Sequence, residues 1–302
     1  MRISAIITTF NDTETRLRDS MRSILQQDHK VDQIIVIDDG SSVPFGGIPQ
    51  RDFPEVLFIQ NNENIGVAKS RNKAAHYATG DYISFLDCGD VWLPSKNSIQ
   101  RNVAQSNPES ILIFSSAALT NYNGYFQVIH PKECNDWTHN LLISQPITGS
   151  ISNTLILKAA FHHVNGFYVE TDIPEDRDLW LRLSKIGSFS FTNDITVHIE
   201  ISENSRSSNL KRTAETYKTF IELHRADYIY YNLLEYATSL MYISLANKAF
   251  SGQEFRQGFK FLWQGSSYKT KNRCLRILIV ALYALISRKG YRQTKAALRN
   301  GT

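Results

Sequence analysis

Between Ile3 and Asp90 the chain repeats one scheme: a short apolar run ending in small or acidic polar residues, then a polar stretch with helical spacing. "ISAIITTF" leads into "TETRLRDSMRSILQQ", "DQIIVIDDGS" closes a second run, and "VLFIQN" passes through "NIGVAKSRNKAAHYATG" to "DYISFLDCGD". Apolar strands alternating with helical patterns predict an α/β fold, a mostly parallel sheet with helices on both faces. In such sheets ligands bind outside the carboxyl ends of the strands. Thr8, Thr9, Asp38, Asp39, Asp87 and Asp90 stand at those ends, so the pattern gathers them along one rim from three separate strands. No glycine fingerprint of dinucleotide enzymes follows the first run, and no P-loop lysine motif occurs. The rim is of nucleotide-binding type without the usual phosphate loop.

After Trp92 the pattern predicts a helix in "PSKNSIQRNVAQS", a strand in "SILIFSSAAL" and an irregular segment containing Pro131, Trp137 and Pro146. In "VNGFYVETDIPEDRDLWLRLSKIG", Pro174, Glu175 and Asp176 open a helix that carries Leu179, Trp180 and Leu183. Proline and acids suit the first turn of a helix, where N–H groups are free and the dipole is positive, and that alone accounts for Glu175 and Asp176. Beyond "ENSRSSN" the strand signals give way to helical stretches. A boundary near Ser205 is expected, dividing the chain into a sheet domain, 1–205, and an α-helical C-terminal region, 206–302.

The 302 residues are 42% hydrophobic and 21% charged, which excludes disorder and collagen-like repeats. Cys88, Cys134 and Cys274 form no CxxC pair, which argues against a disulfide framework or a zinc site and for a reducing compartment. "MRISAIITTFND" reads as a strand and not as a signal peptide. The longest apolar run, Ile277 to Ile286, falls short of the roughly 20 residues that span a bilayer. A cytoplasmic protein is expected.

Charge is unevenly placed. From Phe255 onward there are eleven Lys and Arg and no Asp or Glu, on a body with 29 acids and 22 bases. A basic block on an acidic body points to a polyanionic contact such as an anionic membrane surface. The segment from Cys274 to Ile286, apolar except for Arg276, has the length of a buried or interfacial helix, and Lys269, Lys271, Arg273, Arg288, Lys289, Arg292, Lys295 and Arg299 flank it. Peripheral attachment at the inner face of the cell membrane is one expectation. Packing of that helix into the C-terminal core or a homodimer interface is the other.

Taken together, "IITTFND", "IIVIDDGSS", "NIGVAKSRNKAAHYATGDYISFLDCGDVWLP", "NGF" and "PEDRDLWLRL" resemble glycosyltransferase family 2, inverting sugar transferases with the GT-A fold. The resemblance covers about the first 200 residues, with the motifs in family order. It implies a nucleotide-sugar donor, with a UDP-sugar favoured, and a glycan or lipid-linked acceptor. By the same resemblance Thr8, Phe10 and Asp39 hold the nucleoside, and Asn64, Gly66 and Arg71 lie near the nucleotide and its diphosphate. Asp39 as an ordinary turn former and Arg71 as a solvated helix residue are the plainer alternatives. Gly80 is expected to cap the helix that carries Arg71.

Asp87 and Asp90 match the ends of the family's Asp-x-Asp-Asp stretch, whose carboxylates hold Mn²⁺ or Mg²⁺ against the phosphates. Here the middle acid is Gly89. Either Asp87 and Asp90 share the ion, or a later residue helps; the alternative makes Asp87 a strand end and Asp90 the cap of a helix beginning at Trp92 to Pro94. Asp176 matches the family's base and Glu175 orients the acceptor or the helix start. His198 stands about three residues from where a family histidine falls and reads as a strand residue.

Two functions follow: an inverting transferase in surface polysaccharide or glycolipid synthesis, or a non-catalytic nucleotide-sugar or glycan binder whose metal site has degenerated at Gly89. Nucleic-acid binding is disfavoured, since zinc-finger, RNP and KH signatures are missing and an acidic rim repels phosphates.

Overall fold

The computed structural model describes residues 1–266 apart from 122–123, 145–146, 148–149, 202–208 and 253. The chain divides into two compact units, Met1–Glu203 and Asn204–Thr302. The first is built on a nine-stranded sheet.

Its strands are β1 (Ile3–Thr9), β2 (Gln33–Asp38), β3 (Val56–Gln60), β4 (Tyr82–Asp87), β5 (Val91–Trp92), β6 (Ser110–Asn121), β7 (Gly124–Ile129), β8 (Thr154–Leu157) and β9 (Ser188–Glu200). They lie in the order β3-β2-β1-β4-β8-β6-β9-β5, with β7 on β6. The half from β3 to β4 is parallel, as the repeated pattern predicts. β8 then enters antiparallel between β4 and β6. β1 is buried along its whole length because it is central and covered on both faces, which is why its sequence is a continuous apolar run.

Helix α1 (Glu14–Leu25) follows β1 and is capped by Thr13, whose side chain accepts from Arg16 N–H. Its Leu17, Met21 and Ile24 pack with Ile7, Val36 and Leu86 in one core. Helix α2 (Val67–His76) joins β3 to β4 and buries Ser70, Arg71, Ala74 and Ala75. Gly80 does not cap it: the cap is Tyr77, and Gly80 lies beyond, donating its N–H to Ser4 Oγ at 2.9 Å. A Cβ at Gly80 would come within 2.6 Å of Ser4 N, so glycine is required there by close backbone approach. The helix expected from Trp92 to Pro94 starts later, as α3 (Lys96–Ser106), because Val91 and Trp92 pair with β9 as a short strand.

Helices α4 (Trp137–Ile143) and α5 (Lys158–His163) flank β8 in sequence, and α6 (Glu175–Ser184) begins after Pro174, with Glu175, Asp176 and Asp178 in its first turn. In the second unit α7 (Leu210–Leu223), α8 (Arg225–Tyr230), α9 (Leu234–Ser251) and α10 (Phe255–Ser266) bury Leu210, Met241, Leu245, Phe250, Phe261 and Leu262 together. Among the described residues no helix is long and apolar enough to cross a membrane. The apolar segment from Cys274 to Ile286 and its flanking bases from Lys269 onward lie outside the described residues.

One buried lysine belongs to the architecture. Lys96 is fully buried, and its Nζ donates to Ser84 Oγ (2.8 Å), Gln100 Oε1 (2.7 Å) and Thr154 O (3.4 Å) while lying 4.0 Å from the Trp92 ring centre. Burial holds its pKa well below the ordinary lysine value. These three contacts knot β4, β8 and α3 together. Lys96→Ala is expected to cost about 2–5 kcal/mol in urea unfolding through its cavity and orphaned acceptors, whereas Lys96→Met, which keeps the stem, costs about 1–3 kcal/mol. Equal stability of wild type and the alanine variant would contradict this.

Candidate active site

The strand order reverses at β1, with β2 and β3 on one side and β4 on the other, and the carboxyl ends of β1 and β4 bound the crevice there. In register, Thr8 lies opposite Asp87 and Thr9 opposite Asp38. The rim expected from the strand ends therefore exists as one edge.

On the β2 side the two aspartates divide their work. Asp38 accepts from Ser41 N–H (2.7 Å) and Phe45 N–H (2.6 Å), which folds the following loop back on the strand. Asp39 is buried, and its Oδ1 accepts from Asn61 Nδ2 (3.0 Å), Ile65 N–H (3.0 Å) and Ser70 Oγ (2.8 Å), while Oδ2 accepts from Gly66 N–H (2.9 Å). Asp39 thus clamps the start of α2, and Oδ2 with one donor keeps capacity for another. Gly40 packs directly on the Glu63–Asn64 backbone and Asn64 is exposed; Phe10, at the end of β1, is 46% exposed. An exposed aromatic ring and a carboxylate with spare capacity make this end suited to a flat polar ligand.

The clamp fixes Arg71, five residues after Gly66. Its side chain is only 3% exposed, and it is not solvated. Nη2 donates to Asp87 Oδ1 at 2.5 Å, Nη1 donates to Asp176 Oδ1 at 3.4 Å and lies 3.9 Å from Glu175 Oε1, and the guanidinium stands 5.1 Å from the Phe167 ring centre. Burial opposes its charge, but Asp87, Asp176 and Glu175 outweigh burial and raise its pKa above the ordinary arginine value. Asp87 from β4 and the acids of α6 are brought together by this one cation.

Asp176 is pushed up to about 7, first by burial, then by the charges of Glu175 and Asp87, against the pull of Arg71 and of the Ile151 N–H. Its side chain remains 24% exposed, so solvent or a ligand reaches it. A carboxyl poised near neutrality and accessible at a crevice is suited to accepting a proton.

Asp90 neighbours Asp87, as expected, with its carboxylate bonded within the fold. It is buried, its Oδ2 accepts from Ser152 Oγ (2.6 Å) and Ser150 Oγ (3.2 Å), and its Oδ1 accepts from Glu200 N–H (3.0 Å). Its pKa is pushed up to about 7 by burial and then by Asp87. The reason is the turn: Asp90 N–H returns to Asp87 O at 3.0 Å, and Ser20 and Ser23 of α1 hold Gly89, Asp90 and Trp92 by their backbones, which directs the carboxylate inward.

For a divalent cation, Asp87 offers Oδ2, since Oδ1 is on Arg71 and the side chain is 36% exposed. One carboxylate oxygen completed by phosphates and water is within the range of Mg²⁺ and Mn²⁺. Among the described residues there is no group of three His, Cys, Asp or Glu that could hold a metal ion by itself. His198 lies in β9 opposite Val91 and Ala118. Ser150, Ser152, Asn61, Ser70, Arg16 and Glu200 were not legible as site residues; the small polar run "SISN" (Ser150–Asn153) before an apolar strand was the one sequence hint.

Comparison with known proteins decides the family. The model of "Glycosyl transferase family 2" matches residues 4–142. Residues 4–142 carry a glycosyl transferase family 2 domain. An uncharacterised glycosyltransferase of Methanocaldococcus jannaschii, MJ1057, is 34% identical over 127 residues, and that match spans 43% of its length and 40% of this chain. The UDP-Glc:alpha-D-GlcNAc-diphosphoundecaprenol beta-1,3-glucosyltransferase WfgD of Escherichia coli is 29% identical over 242 residues, 78% of this chain and 91% of that protein. Among solved structures, S. aureus TarS 1-349 in complex with UDP-GlcNAc aligns with TM-score 0.56 at 17% identity over all of this chain and 93% of that one. The mannosyltransferase PcManGT of Pyrobaculum calidifontis, in complex with GDP-Man and Mn²⁺, aligns with TM-score 0.62 at 14% identity over 98% of this chain and 83% of that one. These likenesses establish the GT-A fold.

Ser152 links Asp87 and Asp90: its hydroxyl accepts from Asp87 N–H at 3.0 Å and donates to Asp90. Ser152→Ala removes a bond that holds the Asp90 pKa down, so by carbon NMR titration Asp90 should titrate above about 7. An unchanged Asp90 titration would contradict the assigned contact.

Proposed function

We propose that the protein transfers a sugar from a nucleoside-diphosphate donor to a hydroxyl of a glycan or lipid-linked acceptor, with inversion, in surface polysaccharide synthesis. The observation that carries this reading is Asp176: an accessible carboxyl with its pKa at about 7, joined through Arg71 to Asp87 at the mouth of the β1–β4 crevice. Relatedness to WfgD, whose name gives a UDP-glucose donor and a diphosphoundecaprenol acceptor, supports the donor and acceptor classes. TarS with UDP-GlcNAc and PcManGT with GDP-Man support a nucleotide-sugar donor, and the name of WfgD favours a UDP-sugar.

In this reading Thr8, Phe10 and Asp39 receive the nucleoside, with Asp39 Oδ2 accepting from a base N–H, and Asn64 borders the same pocket. Asp87 Oδ2 with the donor's phosphates holds Mn²⁺ or Mg²⁺, which would neutralise charge on the departing diphosphate; Asp90 braces the loop behind it. Asp176 takes the proton of the acceptor hydroxyl, the acceptor oxygen attacks the anomeric carbon, and the bond from that carbon to the diphosphate breaks in the same displacement. Glu175 orients the acceptor. Arg71 keeps Asp87 and the α6 acids at fixed separation and restrains the rise of the Asp176 pKa. The sheet domain carries this chemistry, and the eleven bases from Phe255 onward hold the protein reversibly at the cytoplasmic face of an anionic membrane, where a lipid-linked acceptor lies.

Asp176 works as a base only when ionised. A folded pKa of about 7 means that its ionised fraction grows as pH rises through 7, so kcat/KM for donor turnover should fall on the acid side of about pH 7 and level off above it. Asp176→Asn should cut transfer by roughly 10²-fold or more and leave nucleoside-diphosphate binding nearly intact. Comparable turnover by the asparagine variant and wild type would remove Asp176 from the base role. Binding of donor by wild type without release of nucleoside diphosphate would favour a non-catalytic relative.

A further inference from the structure

Gly89 stands where the related Asp-x-Asp-Asp stretch has its middle acid, and its surroundings explain the exchange. Its φ of +100° favours glycine, and a Cβ there would collide with Arg16 Nη2 and lie 2.6 Å from Glu200 Oε2. The space that a side chain at position 89 would enter is taken by a guanidinium. Arg16 Nη2 donates to Cys88 O (3.0 Å) and pairs with Glu200 Oε2 (2.8 Å); Nε lies 3.6 Å from Asp12 Oδ1 and is buried without a hydrogen-bond acceptor. The side chain is 42% exposed, and its bond to Cys88 O puts the guanidinium next to the residue that follows Asp87.

An exposed Arg–Glu pair contributes only about 0–1 kcal/mol. It gives no reason for opening the rim at position 89. A diphosphate does: several negative charges must settle beside Asp12, Asp87 and Glu200, and Arg71 is already committed to three acids. Arg16 has spare donors, and guanidinium binds phosphate oxygens in a preferred forked geometry.

We propose that Arg16 is a phosphate-binding residue of the donor site, carrying at the place of the middle acid a positive charge for the diphosphate, so that a nucleoside diphosphate already binds before the divalent cation proposed at Asp87 joins it. The proposal rests on the donor-site reading above. Glu200 is then the resting partner of Arg16, released when phosphate arrives.

The test is calorimetric titration of the full chain with UDP and with GDP, each in EDTA and in Mn²⁺. Wild type should bind one of them in EDTA. Arg16→Gln should weaken that binding roughly tenfold or more, the loss of one charge-assisted contact, while Arg16→Lys, which keeps the charge but not the fork, should lose less. Glu200→Gln, which frees the guanidinium, should tighten it, and this variant keeps the proposal testable if Arg16→Gln does not fold by circular dichroism. Binding by wild type only in Mn²⁺, unchanged affinity of Arg16→Gln in EDTA, weaker binding by Glu200→Gln in EDTA, or tighter Mn²⁺-dependent binding by Arg16→Gln would overturn the proposal and leave the donor-site reading standing. If neither nucleotide binds in either condition, the donor-site reading falls and the role of Arg16 with it.

Discussion

The site depends on one buried cation. Arg71 draws Asp87 of β4 and Glu175 and Asp176 of α6 to within ion-pairing distance of a single guanidinium. Without it, three carboxylates would face one another in a partly desolvated crevice, and like charges so placed repel or take up protons. With it, Asp176 is held at about 7 rather than higher, which keeps a usable fraction ionised near neutrality. A buried charge cluster of this kind contributes little net stability, since desolvation consumes most of the attraction. Its value is positional.

Position, in turn, comes from the sheet. Asp39 fastens the start of α2 through Ile65, Gly66 and Ser70, and Arg71 follows on the same helix. The pocket proposed for the base and the carboxylates proposed for chemistry are therefore two ends of one rigid connection. On the other side Asp90 ties Ser150, Ser152 and Glu200 to the loop after β4. A ligand that shifts the Asp39 end acts on a helix whose next turn carries Arg71 and, through it, the three acids.

The parallel half of the fold was legible because buried central strands must be apolar and their ends must turn polar, so Thr8, Asp39 and Asp87 could be placed on one rim from sequence. The antiparallel half was not: β8 is four residues long and inserts between β4 and β6, and β5 is a pair of residues read more naturally as a helix start. Asp90 shows the limit at the site itself. Its spacing from Asp87 suggests a shared ligand, but the serines of α1 turn the loop so that its carboxylate faces inward, and contacts at sequence separations of 60 to 110 residues leave no local signature. Gly89 was visible as a departure; that Arg16 and Glu200 fill its place required the tertiary structure.

The central claim, a single displacement for which Asp176 is the proposed base, is tested most directly by the stereochemistry of the product. Proton NMR of the sugar first formed from UDP- and GDP-sugars, transferred or released to water and read before mutarotation, reports the anomeric configuration. The account predicts inversion, an α-linked donor giving a β product. A retained anomer, or no turnover of any nucleotide sugar, would contradict it.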